Sequence, residues 1–171
     1  MKKLILALDP GSRRTGFGVI EVDGDRLTHV HHGVIQLSEK WPFPERLRVL
    51  GQELRELYKK YPAPMTVVEK IFFGKNADSA FKLGHARGVC LMCAAESGSK
   101  ITEYAARYVK KIVTGNGGAD KQQVQNLVFA YLRVRPEESG FDASDALSLA
   151  VCHARVYEGA ERIQRMLEGA Q

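Results

Sequence analysis

Cysteine is scarce in this chain: three residues, an odd number, at positions 90, 93 and 152. Such a set builds no disulfide framework and fits a reducing compartment. Long apolar runs are missing too; none approaches the roughly 20 residues that a membrane-spanning helix requires. The opening MKKLILALDPG starts like a secretory leader. Its apolar stretch is short, however, and runs into Asp9 and Pro10 with no small-residue cleavage site. Internal repeats, low-complexity tracts and linkers are also lacking. The expectation is an ordinary cytoplasmic globular protein.

The composition agrees, at 44% hydrophobic and 26% charged residues in a chain of 171. That length suits a single domain spanning 1–171, with roughly the last 12 residues as a loose tail. The formal net charge is +5, and it is unevenly placed. Residues 70–121 hold nine Lys/Arg and four Asp/Glu, while the rest holds 16 of each sign, so the middle segment carries the whole excess. This points to a basic face for a polyanion; a solvated helix face with scattered lysines is the plainer alternative.

Residues 3–9 read as a buried strand. TGFGVIEV and RLTHVHHGVIQL flank Asp23-Gly24, a hairpin signal. PFPERLRVLGQELRELYKKY follows as an amphipathic helix led in by prolines, with Leu47, Leu50, Leu54 and Leu57 on one face. MTVVEKIF is a fourth strand, and Asn76 is placed to cap a long helix. KITEYA is a fifth strand, followed by the short helix AARYVKKIV, a Gly-rich loop and a helix from about residue 119. The closing helix is DASDALSLAVCHARVY, whose Ala146, Ala150 and Ala154 suit tight packing on a sheet. The order, written βββαβαβαα, predicts one α/β domain on a five-stranded mixed sheet flanked by helices on both faces.

Four acids stand out against this outline. Asp9 and Glu69 each end an apolar strand, and Asp142 and Asp145 lie i, i+3 at a helix start, on one face. Where helices cover a sheet, strand ends and helix starts meet at one rim. If the first and fourth strands are parallel neighbours, Asp9 and Glu69 sit side by side there, with the other two closing from above. Each has a plainer reading. Asp9 serves an Asp-Pro-Gly turn, and Asp142 and Asp145 cap a helix. Glu69 resists one, because a carboxylate after Thr-Val-Val needs solvent, a partner or a metal. Four acids at one rim repel and need a counter-charge. Hard cations such as Mg²⁺ supply it through carboxylates, waters and substrate phosphate oxygens. A carboxylate-only site beside a basic surface points to phosphodiester hydrolysis with two metal ions.

DPGSRRTGFGVI (9–20), VVEKIFFGKNADSAFKLGHARGV (67–89), EYAARYVKKIVTGNGGADKQQVQ (103–125) and DASDALSLAVCHA (142–154) together resemble the RuvC family of bacterial crossover (Holliday) junction endonucleases. The resemblance runs in order along nearly the whole chain. It implies an RNase H-like fold, a homodimer, and Mg²⁺-dependent symmetric nicking of two opposing strands of a four-way DNA junction. Two Mg²⁺ per site are implied, with Mn²⁺ an open substitute, and work alongside the RuvA–RuvB branch-migration complex in the bacterial cytoplasm. Carried over residue by residue, the metal-binding acids fall on Asp9, Glu69, Asp142 and Asp145. The lysines near the scissile phosphate, also counted as catalytic, fall on Lys110 and Lys121. An aromatic that wedges or stacks at the junction falls on Phe72, although Phe73 is the alternative from alternation. Further expected DNA contacts are Arg13, Lys75, Asn76, Lys82, Arg87 and Arg107. Phe17 stands where many relatives have Tyr, and Lys70 follows Glu69 where an uncharged residue is common.

Weaker signals have plainer explanations. Cys90-Leu-Met-Cys93 lies in an apolar helical run with no second pair and reads as packing. His29, His31 and His32 include an i, i+2 pair on one strand face but read as exposed hairpin residues. GNGG (115–118) fits a phosphate cradle or a flexible loop. DPGSRRTG also resembles the first phosphate loop of actin-like kinases, which need a second domain that this length excludes. A junction-binding protein without nuclease activity is expected to lack one or more of the acids. A related RNase H-like nuclease acting on other branched or RNA-containing nucleic acid is the main alternative.

Overall fold

The computed structural model describes residues 2–70, 77–134 and 141–168; Phe72, Phe73, Lys75 and Asn76 lie outside the described residues. Strand β1 (Lys3–Asp9) runs up the centre of the sheet. Strands β2 (Arg14–Asp23) and β3 (Arg26–Gln36) form the hairpin, which turns on Gly24 at φ +56°. Then come α1 (Phe43–Lys60), β4 (Met65–Lys70), α2 (Ala77–Glu96) and β5 (Lys100–Ala105). Three helices close the described chain: α3 (Ala106–Thr114), α4 (Lys121–Leu132) and α5 (Phe141–Glu168). The sequence reads all three as helices, although the written order βββαβαβαα holds only two of them. Gly115, left-handed at φ 81°, ends α3 and makes it a helix of its own. The last helix also continues past Tyr157, to Glu168.

The sheet has the order β3-β2-β1-β4-β5. The hairpin strands pair antiparallel, β2 with β1 and with β3, while β4 lies parallel between β1 and β5. Parallel pairing of β1 with β4 is the condition on which the two strand-end acids become neighbours, and the register Leu8↔Val68 brings Asp9 level with Glu69 at the next step.

Apolar side chains fill both faces. On one, Leu6, Leu8 and Val19 meet Leu50, Leu54, Cys90 and Cys93 from α1 and α2. On the other, Ile5, Ala7 and Ile20 meet Leu147, Ala150 and Ala154 of α5, with Val109 of α3 and Val128 of α4 alongside. The three alanines of α5 are fully buried, as their spacing predicts. Tyr58 and Thr66, both buried, satisfy each other's hydroxyls at 2.9 Å. Cys90 and Cys93 are packing residues, and burial pushes the Cys90 thiol up to about 12.

The histidines depart from expectation. The β2–β3 register shifts between Val19 and Ile20. That irregularity sets His29 beside His32, Nε2 to Nδ1 at 2.7 Å, instead of beside His31. His31 instead lies between the rings of Phe17 and Tyr61, at centroid distances of 5.4 and 5.5 Å. All three are half-buried. Among the described residues no helix is long and apolar enough to cross a membrane.

Candidate active site

The rim at the end of β1 is assembled by backbone contact. Asp9 pairs across the sheet with Gly16 of β2. A Cβ on Gly16 would stand 2.0 Å from the carbonyl oxygen of Asp142, so strand and helix touch there backbone to backbone. Gly18 repeats the approach one step on, where a Cβ would meet Leu147 at 2.8 Å. These two glycines seat the first turns of α5, and with them Asp142 and Asp145, over the end of β1. The intervening loop is equally tight. Thr15 Oγ1 bonds back to Gly11 O at 3.2 Å, and a Cβ on Gly11 would stand 2.1 Å from Arg14 O.

Three of the four acids and both lysines converge on one cleft of about 270 Å³, lined by Asp9, Glu69, Asp145, Lys110 and Lys121 with Val109, Val124 and Ser148; Asp142 lies outside this lining. Burial, and then the Glu69 and Asp145 charges, push Asp9 up to about 8. It therefore keeps a proton at neutral pH and donates it in a hydrogen bond to Glu69. Glu69 is itself raised, chiefly by burial. Lys121 donates to Asp145 Oδ2 at 2.8 Å, and this bond raises the lysine. Arg14 Nη1 lies 3.5 Å from Asp142 Oδ2. Lys110 reaches the Ala119 carbonyl at 2.7 Å, which holds its ammonium in the cleft wall. As they stand, no three acidic, histidine or cysteine side chains among the described residues converge as ligands to one ion. Asp142 and Asp145 are turned toward their cations.

Of the other residues singled out from sequence, Arg13 pairs with Glu39 at 2.8 Å beside the rim, and Lys82 with Asp78 at 2.6 Å along α2. Arg107 is exposed on α3 and lies against Gly117. Arg87 is brought elsewhere. It ion-pairs with Glu103 of β5 and reaches the Glu69 carbonyl at 3.5 Å, bracing β4 from behind the site. Phe72, Lys75 and Asn76 lie outside the described residues. Sequence reasoning missed Arg14. Its signal was the second arginine of Ser-Arg-Arg-Thr, which takes the acid at the rim while the first turns to Glu39.

The donor set suits a hard cation. Every potential ligand lining the cleft is a carboxylate or hydroxyl oxygen, with no histidine or cysteine among the lining residues. A half-buried acid that keeps its proton beside other acids marks a site short of positive charge.

Residues 5–153 match the family described as crossover junction endodeoxyribonuclease RuvC. The chain belongs to the RuvC family. It is 51% identical over 154 residues to the family member of Bdellovibrio bacteriovorus, covering 90% of this chain and 91% of that protein. The RuvC structure from T. thermophilus in complex with Holliday junction substrate has a TM-score of 0.87 at 28% identity, covering 92% of this chain and 96% of that one. The yeast mitochondrial Holliday junction resolvase has a TM-score of 0.71 at 13% identity over 98% of this chain and 86% of its own, a likeness of fold alone. The five-stranded mixed sheet is thus the RNase H-like α/β fold that the sequence resemblance implied.

Proposed function

We propose that this chain resolves four-way (Holliday) DNA junctions by nicking two opposing strands at symmetric positions, in homologous recombination and DNA repair. The observation that carries the reading is the meeting of Asp9, Glu69, Asp145, Lys110 and Lys121 in one cleft, with Asp142 one turn away, in a RuvC-family chain. Asp9, Glu69, Asp142 and Asp145 would hold Mg²⁺, two ions per site, with Mn²⁺ as a substitute. Held there, such ions would supply an activated water and positive charge for phosphodiester hydrolysis.

The chain's own residues do the rest. The shared Asp9–Glu69 proton leaves as the acids take up their ligand role. Lys110 and Lys121 bring positive charge to where negative charge builds on the phosphate. The basic segment from 70 to 121 supplies sequence-independent phosphate affinity, steeply weakened by salt. Arg13, Lys75, Asn76, Lys82 and Arg107 are proposed contacts along the junction arms, and Phe72 a stacking residue at its centre. A homodimer sets two such sites in two-fold register with the two strands to be cut. Delivery by a RuvA–RuvB branch-migration complex and action in the bacterial cytoplasm complete the proposal.

The test uses a labelled synthetic four-way junction, a linear duplex of matching sequence and an RNA-containing branched substrate, each with Mg²⁺ and with chelator. Paired nicks at symmetric positions on the DNA junction alone, lost with chelator, are expected. Equal cutting of the duplex or of the RNA-containing substrate would move the assignment to the broader RNase H-like nucleases.

A further inference from the structure

We propose that Arg14 is a resident counter-cation for Asp142, holding that carboxylate in the free protein in competition with the divalent cation. The inference rests on the reading of the four acids as metal ligands, and it concerns a residue to which that reading gives no part. Two of the acids face cations of the chain itself: Asp145 takes Lys121 at 2.8 Å, and Asp142 has Arg14 at 3.5 Å. Loading an ion at the rim therefore requires Asp142 and Asp145 to turn away from their cations. The proposed function already gives Lys121 a part. Arg14 is the unassigned half of the arrangement.

Its position is built into the fold. Arg14 is the first residue of β2, two residues before the glycine whose backbone lies against the Asp142 carbonyl. The loop folded over Gly11 holds its own carbonyl in place. Its backbone is thus fixed beside α5 while the side chain, 61% exposed, stays free to swing. A divalent cation at the rim competes with this guanidinium for the same carboxylate. Arg13, next along the chain, pairs with Glu39 instead. Arg14 in this role is a positioning residue: it acts through Asp142 and sets how readily the free protein accepts metal.

The experiment is calorimetric titration of Mn²⁺ into the full-length, DNA-free protein, with melting curves to verify folding of each variant. Arg14→Ala should tighten Mn²⁺ binding by about threefold to fivefold, the scale of an exposed ion pair. Arg14→Lys should keep most of the wild-type affinity, and Arg13→Ala should stay at the wild-type value. On an Asp142→Asn background the gain from Arg14→Ala should vanish, which isolates the pair. Unchanged or weaker Mn²⁺ binding by Arg14→Ala overturns the proposal, as does an equal gain from Arg13→Ala. A gain that persists without Asp142 also overturns it. If wild type and Asp9→Asn alike take up no Mn²⁺, the reading of the acids as ligands falls, and this inference falls with it.

Discussion

Against α1 and α2 the sheet packs through side chains: Leu6, Leu8 and Val19 press on Leu50, Leu54 and Cys90, all fully buried. Against α5 it packs in part through glycine, with Gly16 on the Asp142 carbonyl and Gly18 on Leu147. Both faces exclude water. They differ in what a small displacement does. A layer of interdigitating leucines absorbs a shift of a few tenths of an ångström by adjusting rotamers. A backbone-to-backbone contact has no such cushion and passes the shift on to the helix. On the α5 face that helix carries two of the four acids, so position there is chemistry as well as stability.

The largest effect expected on this contrast is at the acid that the glycine face is built to meet. Asp9→Asn should lower single-turnover cleavage by about 10³-fold or more, the scale for a group acting within a catalytic unit. Junction binding in chelator should be nearly unchanged, because phosphate contacts supply the affinity. The same variant should be more stable than wild type without metal. On folding, Asp9 rises from 3.8 to about 8, so in that window the folded chain holds a proton that the unfolded chain has released. Its contribution to stability is therefore lost progressively as pH climbs from the lower value to the higher. Melting temperatures in chelator at pH 6 and pH 8.5 should show the Asp9→Asn advantage growing with pH, and a constant difference would contradict it.

Next comes a pair of matched substitutions, one on each face. Gly16→Ala places a methyl onto a carbonyl and should cut activity by roughly a hundredfold while destabilising by about 1–3 kcal/mol. Gly51→Ala in α1 meets only the tip of Arg55 at 3.4 Å and Val89 at 3.6 Å. With the helix-propensity gain it should change stability by less than about 1 kcal/mol and leave cleavage intact. Equal activity losses at the two sites would remove the distinction between the faces.

How much of this was legible in the sequence follows the same division. Strand ends, the Asp-Pro-Gly turn and the i, i+3 pair are local patterns, so the sequence alone groups Asp9, Glu69, Asp142 and Asp145. The parallel β1–β4 pairing on which the grouping depended is borne out. Side-chain partners across the chain were not legible. Arg87 reads as one more cation of a basic segment, and only the α2–β5 packing turns it to Glu103. Which of Arg13 and Arg14 faces the rim depends on a loop folded over Gly11, not on residue type. The His29–His32 contact depends on a single register shift, and a strict alternation of faces predicts the wrong pair. The lysines of the cleft were reached through family resemblance, because nothing in the charge pattern separates Lys110 from Lys111.

A smaller contrast uses two leucines that are equally buried, Leu54 facing β-strand side chains and Leu147 facing Gly18. Each truncation to Ala should cost about 2–5 kcal/mol in denaturant unfolding. Leu54→Ala should leave the cleavage rate of the folded fraction unchanged. Leu147→Ala should lower it, because the helix settles toward β2 and carries Asp145 with it. Equal rates for the two would mean that the α5 face tolerates displacement as well as its opposite does.

The smallest effect lies at Asp120, which caps α4 one residue before Lys121. Its side chain accepts from Gln123 N at 2.8 Å, and Gln123 Oε1 accepts from Asp120 N at 3.2 Å, a reciprocal capping box. Asp120→Ala should cost about 1 kcal/mol and Asp120→Asn much less, since Asn caps as well. The question is what fixes Lys121, the first helical residue: the cap beneath it or the carboxylate above it. If the cap does, Asp120→Ala lowers cleavage severalfold and Asp120→Asn restores it. If Asp145 alone holds the lysine, both variants cleave like wild type. Lys121 would then be positioned from the α5 side, and the glycine contacts of β2 would govern the basic as well as the acidic half of the site.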